Sequence, residues 1–477
     1  MRRIESCAEL AEHYDVLVIG AGPAGLSSAA TAAEAGLRVL LADENATPGG
    51  QIYRAVITSP MGNRGVLGED YWKGEAIAKR FLASGADYAP GATVWHLDAT
   101  LEAGIAMGEE SAIVPVRHAL IATGAMERPF PVEGWTLPGV MTVGAAQIML
   151  KSSATVPAGR FVLAGSGPLL WLFAWQCIMA GSPPAAMIDT TAKGNLIEAA
   201  RYLFGFLISP YVAKGVKLLQ AVRRSVPIVA APDGLAIRQA NAGLAIEARR
   251  GGASTSIAAE AAFLHQGVVP ALALASAAGC TIEWNEAQAA FQPKADAEGR
   301  TSIAGISIAG DGATIGGAEV AALEGDRLGL RLAAELGGNP GAARVDAARL
   351  EATLARYARG RPFLDALYKP APHYRRGTPS ALACRCEEVS CGQVSETART
   401  LQVVGPNQMK AFLRTGMGPC QGRYCGLTVS ELIAEASGLP MAEVGHYRLR
   451  TPVKPITLGQ LASVPTTDEE VRSVYRL

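Results

Sequence analysis

The feature that most constrains the fold is a strand, a glycine-rich turn and a helix close to the N-terminus. Residues 14–19 (YDVLVI) predict a short buried strand, and residues 26–35 predict a helix of small side chains. The turn between them has the spacing G-x-G-x-x-G, with Gly20, Gly22 and Gly25. Between a strand and a helix, this spacing predicts the first βαβ unit of a Rossmann fold.

Each residue of this turn has a predicted role at the pyrophosphate of a nucleotide. Gly20 makes the tight turn, Gly22 lets the backbone approach the phosphates, and Gly25 lets helix and strand pack closely. Pro23 and Ala24 begin the helix, where unpaired N–H groups and the helix dipole favour an anion. We therefore expect all five residues to lie against a bound nucleotide.

An acidic residue follows at the end of the second predicted strand. Asp43 is placed to accept hydrogen bonds from ribose hydroxyls, and Glu44 is the second candidate. The charge of Asp43 disfavours a 2′-phosphate. These residues recognise only the ADP half of a cofactor, so a plain adenine nucleotide is an alternative to FAD.

Later segments predict the remainder of an FAD site. Residues 91–94, ending in Val94, could line an adenine pocket, and a strand over 119–124 ends in Thr123 and Gly124. Asp311 follows another strand and is placed to accept a hydrogen bond from a ribityl hydroxyl. A helix start near Asp311 could stabilise negative charge on a reduced flavin.

A second strand–glycine–helix unit begins at Arg160. Its turn has glycine at 165 and 167, but Leu170 occupies the third position, which should push the helix away from the strand. We therefore expect a Rossmann layer kept as scaffold rather than a nicotinamide site. The predicted fold is α/β, with an FAD-type Rossmann domain (1–150 and 295–345), a second Rossmann-like domain inserted in it (151–294), a helical connector (346–370) and a small, mainly α C-terminal domain (371–477).

Four of the eight cysteines form two tight pairs in the C-terminal segment. Cys384 and Cys386 have the spacing C-x-C, and Cys420 and Cys425 have the spacing C-x4-C. Thiolates so arranged can share one metal centre, and this spacing favours a [2Fe–2S] cluster over a zinc site with its usual C-x2-4-C arms. Zinc, and free or disulfide-bonded thiols, are the alternatives, and Cys391 is a competing ligand.

The amino-acid composition limits the classes of protein to which this chain could belong. The 43 basic and 43 acidic side chains balance, so no electrostatic footprint for nucleic acid is present. The first residues carry charge and no apolar signal segment, and four cysteines are left over as free thiols, which predicts a cytoplasmic protein. The apolar stretch 161–180 is interrupted by Gly165 and Pro168, so we expect a buried strand and helix rather than a membrane span.

The order of these elements resembles the two-dinucleotide-binding flavoprotein family. The resemblance rests on the N-terminal fingerprint, the motif P-G-G-Q ending in Gly50 and Gln51, the A-T-G ending at Gly124, the second Rossmann unit, and Gly310-Asp311. The C-terminal segment is similar to bacterioferritin-associated-ferredoxin-type [2Fe–2S] domains. The combination, with G-M-G-P-C-Q-G-R-Y-C at 416–425, resembles the larger subunit of heteromeric opine or amino-acid oxidases and dehydrogenases, and the corresponding subunit of hydrogen cyanide synthase.

This resemblance implies a division of labour. A companion subunit similar to D-amino-acid or glycine oxidase would remove hydride from the C–N bond of the substrate. The chain described here would pass the electrons through FAD and a [2Fe–2S] cluster to an acceptor. FMN at a subunit interface is a further candidate cofactor, and peripheral membrane association through partners is expected.

The residues themselves suggest no proton-transfer chemistry. None of the six histidines has a nucleophile or base pattern around it, and His265, at a strand end, is expected to be structural. We therefore assign no catalytic residue. The alternative function is a self-sufficient reductase that takes hydride from NAD(P)H at the second Rossmann unit, and Leu170 argues against it.

Overall fold

The structure is a computed structural model that describes residues 1–466 and Arg472. Residues 467–471 and 473–477, at the end of the predicted domain 371–477, lie outside the described residues. Among the described residues, no helix has the length and apolar composition needed to cross a membrane.

The first sheet is built mainly from the N-terminal part of the chain. Its strands are β1 (Arg2–Arg3), β2 (Tyr14–Ile19), β3 (Val39–Asp43), β4 (Asp87–Pro90), β5 (Thr93–Leu97), β6 (Glu102–Met107) and β7 (Glu110–Ile121). They lie in the order β1-β4-β3-β2-β7-β6-β5. Neighbouring strands in the series β1-β4-β3-β2-β7 pair in parallel. β6 pairs antiparallel with β7, and β5 pairs antiparallel with β6. The predicted strand 14–19 is thus central and almost fully buried, as its continuous apolar run requires.

The chain then leaves this sheet and builds a second one. The strands in this part are β8 (Ala125–Glu127), β9 (Val140–Thr142), β10 (Phe161–Ser166), β11 (Ala186–Asp189), β12 (Ile228–Ala230), β13 (Gly234–Ala240), β14 (Gly243–Arg250), β15 (Ala253–Ala259), β16 (Ala261–Gln266) and β17 (Val268–Pro270). Five of them form a parallel sheet in the order β12-β11-β10-β16-β9. β13, β14 and β15 form an antiparallel meander, and β8 and β17 form a two-stranded ribbon.

The remaining strands complete the first sheet and begin the cysteine-bearing segment. They are β18 (Ile282–Asn285), β19 (Ala290–Pro293), β20 (Ile306–Ile308), β21 (Leu382–Cys384) and β22 (Val389–Ser390). β20 pairs in parallel with β7, so the chain returns to the first sheet after the second has been built. β21 and β22 form a short hairpin that carries Cys384.

The helices cover both sheets and form most of the C-terminal segment. They are α1 (Pro23–Glu34), α2 (Glu69–Leu82), α3 (Val143–Ser153), α4 (Pro168–Met179), α5 (Asn195–Ala200), α6 (Leu203–Leu207), α7 (Tyr211–Ser225), α8 (Ala273–Ala277), α9 (Ala318–Leu336), α10 (Ala347–Leu367), α11 (Pro372–Arg376), α12 (Cys391–Thr400), α13 (Pro406–Leu413), α14 (Gly426–Ser437), α15 (Met441–Val444) and α16 (Leu458–Ala462). The predicted helix 26–35 is α1.

Helices α1 and α9 pack on each other through small side chains. A Cβ atom added to Gly325 would overlap the backbone of Ala24, and one added to Gly329 would lie 2.6 Å from Cβ of Thr31. This approach lets α9, which lies about 300 residues further along the chain, cover the helix that follows the glycine-rich turn. Asp326 strengthens the contact by accepting a hydrogen bond from Thr31 Oγ1 at 2.7 Å.

The structure differs from the predicted domain boundaries at three places. Residues 140–142, predicted within the first domain, form β9 of the second sheet. Residues 274–280, predicted within the second domain, pack in the core of the first sheet. Residues 451–463, predicted within the C-terminal domain, return to the first sheet, where Val453 N donates to Trp95 O at 2.9 Å. Each difference arises from long-range packing of a short apolar segment.

We expect Gly325→Ala to destabilise the protein, because its methyl group would meet the Ala24 backbone. Overpacking of this kind costs about 1–3 kcal/mol of unfolding free energy. The matched control is Gly215→Ala in α7, where an added Cβ would meet no atom within 4 Å. Alanine favours a helix over glycine at both positions, so only Gly325→Ala should lower the thermal unfolding midpoint. An equal or higher midpoint for Gly325→Ala would contradict the packing described.

Candidate functional site

Two positions of the glycine-rich turn have no room for a side chain. Gly20 has φ of 109°, and an added Cβ would lie 2.5 Å from the carbonyl oxygen of Ala122. A Cβ on Gly25 would overlap the carbonyl oxygen of Gly20. The structure therefore places both residues in the roles that their spacing predicts.

Gly22 is different, because the protein itself leaves room for a side chain there. Its φ is −77°, and an added Cβ would approach only Cα of Gly50, at 4.0 Å. Gly22 immediately precedes α1, whose first residues are Pro23 and Ala24. A requirement for glycine at 22 would thus come from something outside the fold, as expected for a phosphate that approaches the helix N-terminus.

Three further loops meet this turn. Gly49 N donates to Ala21 O at 2.8 Å, and a Cβ on Gly50 would lie 2.7 Å from Cα of Gly22. On the far side, a Cβ on Gly312 would lie 3.3 Å from the backbone nitrogen of Gly124. The segments 20–25, 48–51, 122–124 and 310–313 therefore meet in one region, which is called the groove below and at which Thr123 is exposed.

Asp43 closes the groove at the adenine end by holding the turn. Its Oδ2 accepts from Ala21 N at 2.6 Å, and its Oδ1 accepts from Asn45 N and Asn45 Nδ2, both at 2.7 Å. The carboxylate is 7% exposed, so its first role is to order the backbone that would bind the pyrophosphate. Its predicted contact with a ribose remains a prediction.

The other two residues predicted near the adenine have separate surroundings. Glu44 is exposed and pairs with Lys454 Nζ at 2.8 Å, which ties the C-terminal segment to this edge of the groove. Val94 is buried in the core of the first sheet. The loop that precedes Val94 does reach the site, since Gly91 N donates to Asn45 O at 3.2 Å.

At the opposite end of the groove, Asp311 and Gln51 also serve the fold. Asp311 Oδ1 accepts from the backbone nitrogens of Gly316 and Gly317, both at 2.8 Å, at the start of α9. The carbonyl oxygen of Gln51 accepts from Lys151 Nζ at 3.1 Å. Lys151 was not predicted as part of the site.

Lys151 is a buried cation in a polar network behind the P-G-G-Q loop. Its Nζ also donates to Gln147 Oε1 at 2.8 Å, and Gln147 Nε2 donates to Gln176 Oε1 at 2.9 Å. Burial lowers the pKa of Lys151 to about 7, and Arg54 nearby contributes to the lowering. The sequence feature that could have indicated this network is the spacing of Gln147 and Lys151. The two polar residues are four positions apart, which places them on one face of α3.

Stability should therefore depend on pH through Lys151. Its pKa is lowered in the fold, so the unfolded chain binds more protons between pH 7 and 10, and the free energy of unfolding rises with pH by at most about 1.4 kcal/mol per unit. We expect Lys151→Met to remove this rise. Unfolding midpoints of both proteins at several pH values measure it, and parallel pH curves would contradict the burial of a titrating lysine.

The second glycine turn is filled by the protein itself. A Cβ on Gly165 would overlap the carbonyl oxygen of His265, and one on Gly167 would lie 3.1 Å from His265 Nε2. His265 Nδ1 lies 2.8 Å from Glu127 Oε2, and Glu127 Oε1 accepts from Gly144 N at 2.6 Å. His265 is 2% exposed. It joins the second sheet to the β8 strand, which is the structural role expected of it.

The four predicted cysteines come together as two contacting pairs. Cys384 and Cys425 are buried neighbours that shift each other's pKa, and Cys386 and Cys420 are neighbours nearer the surface, where Cys386 is exposed. Within residues 1–466, however, no three Cys, His, Asp or Glu side chains have the arrangement of a metal site. The two pairs are neighbours that do not close around a common centre.

The buried pair lies in a polarised environment. The hydrogen bond with Cys425, and backbone N–H groups of Glu387, Gly416 and Cys386, lower the pKa of Cys384 to about 5. The same sulfur contact and burial raise the pKa of Cys425. Backbone N–H groups directed at a sulfur are typical of iron–sulfur sites, where they stabilise an anionic cluster.

The glycines around the second pair mainly make room for an aromatic ring that sequence analysis missed. A Cβ on Gly416 or Gly422 would lie 2.7 or 2.6 Å from the ring of Tyr447. The Tyr447 hydroxyl lies 3.0 Å from Thr415 Oγ1, and the ring is a neighbour of Cys425. Gly416 and Gly422 therefore make room for this ring, and the backbone of Gly416 also helps to lower the pKa of Cys384.

Three arginines lie close to the cysteines in the sequence, and the contacts that they make are with other groups. Arg385 lies over the ring of Trp135 at 5.3 Å, Arg414 Nε donates to Glu387 Oε2 at 3.1 Å, and Arg423 donates to Val453 O at 2.9 Å. They instead fasten the cysteine loops to their surroundings. Cys391 is buried in the same apolar core as Cys384 and Cys425, and this burial raises its pKa to about 12.

The chain is similar over its whole length to known oxidase subunits. The A-subunit of opine oxidase from Agrobacterium tumefaciens (strain Ach5) is 43% identical over 485 aligned residues, which cover 99% of this chain and 96% of the relative. The chain belongs to the opine oxidase A-subunit family. The family model described as pyridine nucleotide-disulphide oxidoreductase matches residues 14–325, and the model described as sarcosine oxidase A3 domain matches residues 401–464.

More distant relatives share the whole length. Hydrogen cyanide synthase subunit HcnB of Pseudomonas aeruginosa (strain PAO1) is 28% identical over 476 residues, covering 94% of this chain and 98% of the relative. The crystal structure of L-proline dehydrogenase from P. horikoshii superposes with a TM-score of 0.70 at 18% identity, over 96% of this chain and 80% of that one. The predicted subunit family and Rossmann-type flavoprotein fold are thus confirmed, and the family supports the predicted FAD.

Proposed function

We propose that this chain is the electron-transfer subunit of a heteromeric amino-acid or opine dehydrogenase or oxidase. The observation that carries the proposal is the presence of two neighbouring cysteine pairs in a segment that packs on the strand next to the loop of Gly124. A companion subunit similar to D-amino-acid or glycine oxidase would oxidise the CH–NH bond of the substrate. This chain would relay the electrons to an acceptor.

The residues of the groove fit FAD. Gly20, Gly22 and Gly25 would hold the pyrophosphate, with the N-terminus of α1 directed at its charge. Asp43 would keep the turn in place and offer its remaining acceptor capacity to the ribose. Thr123 and Asp311 lie at the end where the flavin ring would bind. FAD supplies a centre that accepts a pair of electrons and releases them singly. An adenine nucleotide without flavin is the alternative occupant.

The two cysteine pairs supply a donor set suited to a [2Fe–2S] cluster. Such a cluster takes four thiolates, two at each iron, and Cys384, Cys386, Cys420 and Cys425 lie as two pairs in contact. Tyr447 would position Cys425 through its hydroxyl. The exposure of Cys386 would bring one side of the cluster to the surface, where an acceptor can approach.

The cysteine segment is packed against the chain that leaves the groove. Ala271 N donates to Gly124 O at 3.0 Å, and the preceding strand, β17, contributes Val269 to a small core that also contains Leu427. Leu427 is two residues beyond Cys425. The flavin end of the groove and the cysteine loop are therefore connected through this short ribbon, which supports electron transfer between them.

The cysteine assignment predicts distinct results for two single substitutions. Cys420→Ser should lose iron from the purified protein, because a hydroxyl replaces a thiolate ligand. Cys391→Ser is the matched control and should retain it, since burial raises the pKa of Cys391 to about 12 and favours the neutral thiol over a thiolate ligand. Iron content per chain, measured after anaerobic purification, checks this. Iron kept by Cys420→Ser and lost from Cys391→Ser would overturn the ligand set.

The second sheet is proposed to be an inserted Rossmann-type domain kept as scaffold. The ring of His265 lies against Gly167 of its glycine turn. Asn195 Nδ2 donates to Leu367 O and Lys369 O at 2.9 and 2.8 Å, so the end of α10 packs on this domain. These contacts argue against the alternative of a self-sufficient NAD(P)H-dependent reductase.

We expect the purified chain alone to oxidise neither amino acids nor opines, and to turn over NADPH at well below about 1 per second. Co-purified with its oxidase-like companion, it should show dehydrogenase activity toward a secondary amine or amino acid with an artificial electron acceptor. The control is the companion alone, which should reduce that acceptor more slowly. Steady NADPH oxidation by the lone chain at ordinary enzyme rates would favour the reductase.

A further inference from the structure

An arginine beside the groove has no partner of opposite charge. Arg54 is partly buried, and its Nε is buried without a hydrogen-bond partner. Among the described residues no carboxylate forms a salt bridge with Arg54, whereas Arg64, further along the segment between β3 and α2, pairs with Glu75 at 2.7 Å. An arginine is always charged, and a cation held away from water without an acceptor is costly. The position of Arg54 therefore favours the binding of an anion.

A comparison with other buried arginines supports this conclusion. Within the described part of the chain, five further arginines have a buried Nε without a partner, but the terminal nitrogens of each contact an acceptor. The acceptors are the carbonyl groups of Gln288 and Ala289 for Arg128, and carboxylates for Arg327, Arg331, Arg375 and Arg376. No such contact to a described residue is present for Arg54, so the fold itself does not explain this side chain.

The backbone places Arg54 close to the glycine-rich turn. A Cβ on Gly49 would overlap the carbonyl oxygen of Tyr53, so the peptide group that joins Tyr53 to Arg54 lies against Gly49. Gly49 N in turn donates to Ala21 O at 2.8 Å, within the glycine-rich turn. Arg54 therefore begins directly beside the loop that contacts the N-terminus of α1.

A second donor without a partner lies near Arg54. Tyr88 is 1% exposed, and its hydroxyl is buried and forms no hydrogen bond. Burial raises the pKa of this hydroxyl, the charge of Asp43 also raises it and the charge of Arg54 lowers it, so the three groups are neighbours. Since Arg54 also lowers the pKa of Lys151, it lies between the adenine end of the groove and the P-G-G-Q loop. An N–H and an O–H that both lack a partner can be satisfied together by one anion with several acceptor oxygens.

We propose that Arg54, with the hydroxyl of Tyr88, binds a phosphate group of the nucleotide in the groove. A guanidinium presents its N–H donors as a planar fork that matches two phosphate oxygens. The N-terminus of α1 adds its own N–H groups. The ligand recognised in this way is an adenosine diphosphate moiety, which FAD and ADP both contain. The inference rests on the nucleotide groove of the proposed function, but not on the flavin ring or the cysteine pairs.

Calorimetric titration of the full-length chain, freed of bound nucleotide, tests the proposal with ADP, FAD and adenosine. Arg54→Gln should weaken the binding of ADP and FAD by about 10- to 100-fold, because charge-assisted hydrogen bonds are lost. It should bind adenosine, which has no phosphate, as the unchanged chain does. Arg54→Lys should recover part of the affinity for ADP, since the charge returns without the fork. The matched control is Arg64→Gln, which should bind all three ligands normally, because Arg64 already pairs with Glu75 and lies over Trp72.

Tyr88→Phe separates a binding role from a structural one. It removes a hydroxyl without a partner, so the thermal unfolding midpoint of the nucleotide-free chain should stay equal or rise, while the further rise caused by ADP should become smaller. Arg54→Gln should likewise be no less stable than the unchanged chain without nucleotide.

Three results would overturn the proposal. They are equal ADP affinity of Arg54→Gln and the unchanged chain, equal weakening of ADP and adenosine binding, and an unchanged chain that binds neither ADP nor FAD. ADP binding that depends on Arg54, in a chain that does not bind FAD, would support this proposal and refute the flavin.

Discussion

The rest of the structure depends on the close backbone approach at the N-terminal turn. Gly25 lies so near the carbonyl of Gly20 that no side chain fits, and Gly20 lies equally near Ala122. This approach brings α1 onto β2 and aligns the helix N-terminus with the groove. Asp43 then ties the turn to the next strand, and α9 covers α1 through Gly325 and Gly329. A single steric constraint thus positions every loop that lines the candidate flavin groove.

The position of the cysteine loops follows from a second set of contacts, made across the whole chain. Arg375 pairs with the buried Glu431 of α14, Leu427 packs beside β17, and residues 451–463 return to the first sheet. The C-terminal segment is therefore fastened at both ends to the body that holds the groove. Such fastening would keep the distance between the proposed flavin and cluster constant, as the proposed electron transfer requires.

Sequence patterns within short segments predicted the features that depend on those segments alone. The first βαβ unit and the helix of the connector 346–370 depend on patterns within short segments, and the structure contains both. The four cysteines lie as two neighbouring pairs, and their binding of one cluster stays a prediction. The features that the sequence did not predict depend on packing between residues far apart in the chain. Nothing near Val453 indicates that it lies under Trp95, and nothing near Lys151 indicates that it supports the loop of Gln51. Tyr447 was missed for the same reason, because its ring fills a space made by glycines at least 20 residues away.

We propose that this one chain binds both a flavin and an iron–sulfur cluster. The most direct measurement is the visible and electron paramagnetic resonance spectrum of the anaerobically purified protein before and after reduction with dithionite, together with analysis of the cofactor released on denaturation. We expect flavin absorption, release of FAD, and a paramagnetic signal of one reduced [2Fe–2S] cluster that is absent from Cys420→Ser. A protein that contains zinc or no metal at its cysteines, or that releases an adenine nucleotide without flavin, would contradict the account.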